Sequence, residues 1–431
     1  MNLLALKLVN SPFKFIWINQ ILLQVAQNML NFALLILVFQ LTNSNTLVSV
    51  FILSISFPAI LFGGFAGVVA DMVDKRKLII FCDLGMAAAA LFLFFTHTTY
   101  VFILLASLIL NSFVQFFIPA EGSAIPMLVK RNQLLAANSL FFFTLYSALI
   151  SGYTMAGPLI NLLGNTSFFL VVAILFVTGA LFSRFLPSLR SNGRINFGRG
   201  YRQAFGTAID EMVSGWTFVM RHRLVLGGLA LLAVVQGMIA IVATLVPGYF
   251  ERELKIAATE SYIVLGPLGI GLLLGALLVE RFGKKMSKRF MVIRAVLVCG
   301  VVLTVIGLLP VLASIFDQTQ FIAQRPRPFT ELFSVASFFA FLSFILGFFV
   351  VQIVIPAQTV IQEYSSEEYR GRVFSILGIA SSVAIVFASF VVGSLADLLG
   401  ILPVLVAVGV LIFIIGLVGF SLKNSFNLAP S

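Results

Sequence analysis

Four amide side chains, Gln20, Gln24, Gln27 and Asn31, recur at spacings of four, three and four within the apolar run "NQILLQVAQNMLN" (19–31). On a helix they form a single stripe, with Asn28 beside it. Amides turned toward hydrocarbon are expensive, so the stripe must face a cavity or another helix. Asn111 and Gln115 repeat the spacing of four, and Gln236 and Gln352 stand alone in later apolar runs. Phe51, Phe57, Phe116, Phe117, Tyr146 and the phenylalanine run 141–143 would supply an adaptable apolar wall. A pocket of amides and aromatics with little charge suits a bulky amphiphile held mainly by apolar area. A sugar or a phosphate ester would need more hydrogen bonds or cations than this set offers.

A second chemistry is proton carriage. Asp83, Glu331 and Asp397 are acids within or at the ends of apolar runs. Protonation is the least costly way to take a carboxylate through a dry cavity, so each is a candidate for coupling to an ion. The plainer alternatives are pairing of Asp83 with a nearby charged turn and solvated positions for the other two. His97 and His222 fall at run ends and are read as solvated. Cys82 and Cys299 lie in apolar runs and are read as small buried residues, with neither a disulfide nor a metal implied. No H-E-x-x-H or G-x-S-x-G set occurs and no Walker A sequence, which argues against an enzyme and against direct ATP hydrolysis. No cofactor is expected.

The elements that must carry these residues follow from composition. Hydrophobic residues make up 60% of the 431 positions and charged ones 10%, which excludes an ordinary soluble domain. The 46 phenylalanines would aggregate on a surface facing water but not in lipid. Punctuation by polar residues, Gly and Pro predicts twelve transmembrane helices near 15–41, 47–70, 78–96, 100–120, 134–160, 167–186, 223–249, 261–281, 290–312, 331–355, 373–397 and 401–421. Helices are favoured over barrel strands because the runs lack period-two alternation. The first run is too long for a cleaved leader and has no small-residue cleavage site. Of the 27 Lys and Arg residues, all but Arg252, Lys255, Arg325 and Arg327 fall on one side if the N-terminus is inside. That asymmetry puts both termini in the cytoplasm and assigns the net charge of +11 to the inner membrane face, with no nucleic-acid partner expected.

Internal repetition sharpens the division. The polar stretch "PSLRSNGRINFGRGYRQ" (187–203) separates the helices six and six. "GVVADMVDKRK" (67–77) is echoed by "ALLVERFGKK" (276–285), which aligns Asp71 with Glu280, and the same offset takes Gln27 to Gln236. "IPAEGS" (118–123) is echoed by "IPAQTV" (355–360). The expected organisation is a six-helix bundle over 1–186, a cytoplasmic linker over 187–221, a second bundle over 222–421 and a tail over 422–431. Within the linker, 201–220 places Phe205, Ile209, Met212, Val213, Trp216 and Val219 on one face, the pattern of an amphipathic helix on the inner leaflet or propping the halves.

Twelve spans in two halves, with an acidic-then-basic turn between helices two and three, resemble the major facilitator superfamily of secondary transporters. That family's signature is G-x-L-A-D-R-x-G-R-K. Here it reads Gly67-Val-Val-Ala-Asp71-Met-Val-Asp74-Lys75-Arg76, with Asp74 in place of the second Gly and Met72 in place of the first base. "GYTMAGP" (152–158) is similar to the family's Gly-rich antiporter motif, which singles out Gly157 and Pro158. "FFIPAEGSAIPMLVKRNQLLAANSL" (116–140) and "YRGRVFSI" (369–376) resemble the drug and siderophore exporter branch. Related proton-coupled branches carry an arginine within helix four, and "VFILLASLILNSFVQFF" (101–117) has none.

The resemblance implies an all-α fold of two pseudo-symmetric bundles and alternating access between them. Helices one, four, seven and ten would line the pathway. Asp71 would latch onto the amino end of helix eleven, where unpaired N–H groups offer about half a positive charge. Gly67 would allow close approach, and Arg370 and Arg372 would strengthen the latch. Lys75 and Arg76 would join it or serve topology alone. Glu280 and Arg281 would do the same against helix five. The expected function is export of a hydrophobic or amphiphilic small molecule by a monomer in the cytoplasmic membrane, driven by an ion, a proton being the expected one. A carrier of a lipid such as a lysophospholipid and a receptor or scaffold that transports nothing stay open as alternatives.

Overall fold

The computed structural model describes residues 12–130, 133–190, 213–255, 257–283, 286–318, 335–365 and 367–421. Inside a bilayer a continuous apolar segment must satisfy its own backbone, and helix is the form that does so. The helices are α1 (Phe13–Thr42), α2 (Asn45–Met72), α3 (Lys75–Thr96), α4 (Tyr100–Leu128) and α5 (Leu134–Ser183). They continue with α6 (Arg223–Gly248), α7 (Tyr262–Gly283), α8 (Lys288–Gln318), α9 (Val335–Tyr364), α10 (Glu367–Leu399) and α11 (Ile401–Ser421). A π-helical turn (Tyr249–Leu254) and a 3-10 turn (Ala258–Ser261) follow α6. No strand occurs among the described residues. Among the described residues, eleven stretches are long and apolar enough to cross a membrane.

The runs expected at 134–160 and 167–186 join in one 50-residue element, α5, broken only at Gly164 (φ 74°, ψ 163°). The connection "NLLGNTS" (161–167) is so short that helical bonding continues on both sides of this one glycine. Left-handed backbone also ends two other helices. Asn43 (φ 49°) turns the chain from α1 into α2, a conformation that asparagine tolerates. Gly400 (φ 90°) closes α10, its N–H donating to the Ala396 carbonyl at 3.0 Å.

The helices group into two compact units, Met1–Thr42 with Val50–Ser214, and Asn43–Ser49 with Gly215–Ser431. In the first, α1 packs along α5, and α3 lies against both α4 and α5. A Cβ on Gly152 of α5 would stand 2.7 Å from the Asn28 Cβ of α1, so the crossing needs glycine there. In the second unit α7 packs on α9, α8 on α11 and α6 on α10. A Cβ at Gly271 would lie 2.1 Å from the Phe344 carbonyl oxygen, and one at Gly347 the same distance from that of Leu268. Lipid gives helices no hydrophobic reason to associate, so close backbone packing through small residues holds such crossings together. Large apolar side chains point outward instead, Leu398 being 80% exposed and Leu162 78%. Such a surface would aggregate in water and belongs in a bilayer.

Only the end of the expected amphipathic segment falls among the described residues. Helix 213–221 buries Val219 against Val225, Ile361 and Val373, and Phe218 stacks on Tyr369 with centroids 4.7 Å apart. Val213 and Trp216 are exposed.

Candidate functional site

The amide stripe of α1 divides in two. Gln24, Gln27 and Asn31 are partly buried. Gln20 is fully buried and donates from Nε2 to the Phe141 carbonyl of α5 at 3.1 Å. It serves the packing of α1 on α5, as does Trp17, whose indole N–H donates to Thr144 Oγ1 at 2.8 Å. Asn28 turns back on its own helix, donating to the Gln24 carbonyl at 2.7 Å.

On α4, Gln115 is partly buried, whereas Asn111 is buried and donates to the Ser107 carbonyl at 2.9 Å. Ser107 Oγ in turn accepts from Ser54 of α2 at 3.0 Å. Asn111 therefore belongs to a hydrogen-bonded crossing within the first unit. In the second unit Gln236 is partly buried on α6. Gln352 of α9 is fully buried, with Oε1 accepting from Arg294 Nη2 at 2.6 Å. The Arg294 guanidinium also lies over the Phe349 ring, 5.5 Å from its centroid. Phe51 and Phe117 are buried, while Phe57 is 43% exposed.

The charged turn is built around Asp74, the residue that replaces the signature's second glycine. It N-caps α3, accepting from the Arg76 N–H at 3.0 Å. The same carboxylate accepts from Ser188 Oγ at 2.6 Å and from the Leu189 N–H at 3.1 Å. The Lys75 N–H completes the clip by donating to the Leu189 carbonyl at 3.2 Å. Burial works against ionisation of Asp74. The hydrogen bonds from Ser188, Leu189 and Arg76, with the charge of Arg190, outweigh it and hold this carboxyl below the usual range. Arg190 itself is exposed and 4.0 Å away, so it adds little energy.

Lys75 is buried and donates to the Ala70 carbonyl at 3.2 Å, closing the turn locally, and Arg76 is partly buried. No described atom lies within 4 Å of where a Cβ on Gly67 would sit. On α5, Gly157 is buried and Pro158 exposed. Glu331 lies outside the described residues. So do the side chains of Asp71, Tyr146, Glu280, Arg281, Arg370 and Arg372.

Asp397 stands in the last turn of α10 and caps the start of α2. Its carboxylate accepts from the backbone N–H of Asn45 and of Thr46, both at 2.9 Å, and from Asn45 Nδ2 at 2.9 Å. The hydroxyls of Ser44 (2.6 Å) and Thr46 (2.8 Å) donate to it as well. Arg252 Nη1 lies 3.8 Å away and the same guanidinium donates to Asn43.

Asp83 is fully buried and accepts from Asn19 Nδ2 at 2.9 Å, while the same nitrogen donates to Ser183 Oγ at 2.6 Å. Glu121 of α4 is 2% exposed. Sequence reasoning passed over Asn19, Ser183, Glu121 and Arg294. Asn19 stands in the quoted run but one residue off the stripe. Glu121 sits in "IPAEGS", whose visible signal is the repeat, and Arg294 falls among the bases of the inner face.

Eleven apolar helical spans among the described residues, with amides and acids turned inward, define a multi-pass membrane protein. The family model for the Major Facilitator Superfamily matches residues 16–323, and the chain belongs to that family. Macrolide efflux protein A of Streptococcus pyogenes is 24% identical over 419 residues, 94% of this chain and 94% of that protein. The uncharacterized MFS-type transporter YfiS of Bacillus subtilis is 24% identical over 386 residues, covering 88% of this chain and 85% of its own. Among solved structures the nucleoside transporter NupG superposes with a TM-score of 0.71 at 13% identity, over 99% of this chain and 100% of the other. That is a likeness of fold. The family match, not that likeness, makes this protein a transporter by family.

Proposed function

We propose that the chain is a secondary active exporter of a hydrophobic or amphiphilic small molecule, working by alternating access between two six-helix halves, residues 1–186 and 222–421, and coupled to protons. The observation that carries this reading is the set Gln24, Gln27 and Asn31. These uncharged amides stay partly buried on one stripe of α1, while their neighbour Gln20 is consumed by packing. Gln115 and Gln236 extend the polar lining on α4 and α6. Uncharged donors and acceptors in an apolar wall hold a large amphiphile without the desolvation that a charged site would exact. Similarity to a macrolide efflux protein over 94% of both chains supports a ligand of that class.

In this reading the protein sits in the cytoplasmic membrane with both termini inside, and Asp71 and Glu280 close its inner side. Asp397 serves as a cap rather than as the coupling group. The test is uptake into inverted proteoliposomes of a panel of amphiphiles that includes macrolides, with and without an imposed pH gradient. Accumulation of at least one amphiphile that collapses when the gradient is dissipated is expected. Gradient-independent leakage of every compound would overturn the reading.

A further inference from the structure

Inside the first unit, three helices bring together oxygen atoms that lack hydrogen-bond donors. Asp83 stands on α3 about two turns from the Asp74 turn, and Glu121 on α4 about two turns from the end that faces the same side. Helices α3 and α4 pack against each other, so the two acids stand at a similar depth on adjoining helices. Asn19 of α1 spends its Nδ2 group on Asp83 Oδ2 (2.9 Å) and on Ser183 Oγ (2.6 Å). That leaves Asn19 Oδ1, Asp83 Oδ1 and Glu121 Oε1 buried without a partner among the described residues. The site has been given room, since a Cβ on Gly179 would stand 2.4 Å from Asn19 Oδ1 and 3.9 Å from Asp83 Oδ2.

The other groups on the packed elements do not neutralise this cluster. Cys82 adjoins Asp83 and is buried. Lys14 of α1 lies over the Phe15 ring, 5.1 Å from its centroid, and Lys75 donates to the Ala70 carbonyl. Lys77, Lys130 and Arg184 are exposed at helix ends, and Arg76 is partly buried in the turn. No cation in the described residues pairs with either acid. Buried acceptors without donors are costly, and a ligand that is itself a donor removes the cost.

We propose that Asp83 and Glu121, with Asn19 orienting the first, form a proton-binding site within the first unit. A proton from water on the side of the Asp74 turn adds to a carboxylate oxygen, converting it to a neutral acid whose O–H is a donor. It leaves by the same O–H bond, with no other bond made or broken. Such a site would supply on α3 and α4 a group for coupling to protons. It rests on the proton-coupled reading above for its use, though not for its existence.

The test is infrared difference spectroscopy of the full protein in lipid, with no substrate and no gradient. A carboxylic-acid C=O band should appear as the pH is lowered and should shift in D2O. Glu121→Gln should remove part of the band and Asp83→Asn the rest. Gly179→Ala, which displaces Asn19 while leaving both acids, should move the pH midpoint of the band without removing it. Should Asp83→Asn fail to fold, Glu121→Gln and Gly179→Ala carry the test alone. A band unchanged in Glu121→Gln, or a midpoint unmoved by Gly179→Ala, would overturn the proposal. Suppression of the band by Na+ at fixed pH would also overturn it, by making the cluster a metal-cation site. An intact band together with transport indifferent to a pH gradient would support the site and sink proton-coupled export.

Discussion

At the scale of single residues, the side chains divide by what their neighbours leave them to do. Asp74 has a structural task, since one carboxylate caps α3 and pins the stretch 188–190. Loss of a capping side chain costs about 0.5–2 kcal/mol, so Asp74→Ala should lower the melting temperature of the purified protein measurably. The pH dependence follows from the sign of the shift. Because the folded carboxyl titrates below the usual range, its contribution is complete at neutral pH. It is lost as the pH falls through that lowered value. The stability difference between wild type and Asp74→Asn should therefore hold from neutral into mildly acid buffer and vanish only in strong acid. A difference already gone in mildly acid buffer would refute this assignment. Gln27 stands at the opposite pole, partly buried and with no side-chain hydrogen bond among the described residues. Gln27→Leu should reduce transport several-fold while leaving membrane insertion at the wild-type level. Equal transport at equal expression would remove α1 from the pathway.

At the scale of elements, the glycines of the second unit set how closely helices cross. Gly271 meets the backbone of α9 at the Phe344 carbonyl, not the movable end of a side chain. Relief requires the helices to part, and forced overpacking costs about 1–3 kcal/mol. Gly271→Val should thus destabilise the second unit, seen as earlier heat-induced aggregation in detergent. The same change at Gly122, where no described atom lies within 4 Å of an added Cβ, should be tolerated. The sequence carried the helices well, because apolar length and polar punctuation are properties of the chain itself. The candidate site was only half legible there. The stripe from Gln20 to Asn31 was visible as a period, but periodicity does not say which neighbour a residue meets. Gln20 went to the Phe141 carbonyl and Gln352 to Arg294. The reverse case is Glu121, whose burial, with an oxygen left without a partner among the described residues, no period along α4 announces. Pairings between helices, not periods along one, decide such roles.

At the scale of the whole molecule, the number of crossings made by α5 turns on Gly164. As one straight helix, the 50 residues of α5 would be about 75 Å long at 1.5 Å per residue, against a hydrocarbon core of about 30 Å. A single crossing would leave more than half of this apolar stretch in water. Two crossings joined at Gly164, whose φ of 74° breaks the helix, bury nearly all of it. The distribution of charge makes the same choice independently. With one crossing, Arg184 and Arg190 would lie opposite Lys75, Arg76 and Lys77, although Asp74 binds Ser188 and Leu189 directly. With two crossings all of these share one side, the arrangement that a basic inner face requires. In the proposed topology, with two crossings in α5, the C-terminus is expected on the same side as the N-terminus. A cysteine at Asn165 should react with a membrane-impermeant maleimide added outside intact cells, while one replacing Ser188 should react only after permeabilisation. A fluorescent-protein fusion at the C-terminus should fold and emit in the cytoplasm. Labelling of both cysteines from the same side would show that α5 is not a pair of crossings, and the division into six and six helices would fall with it.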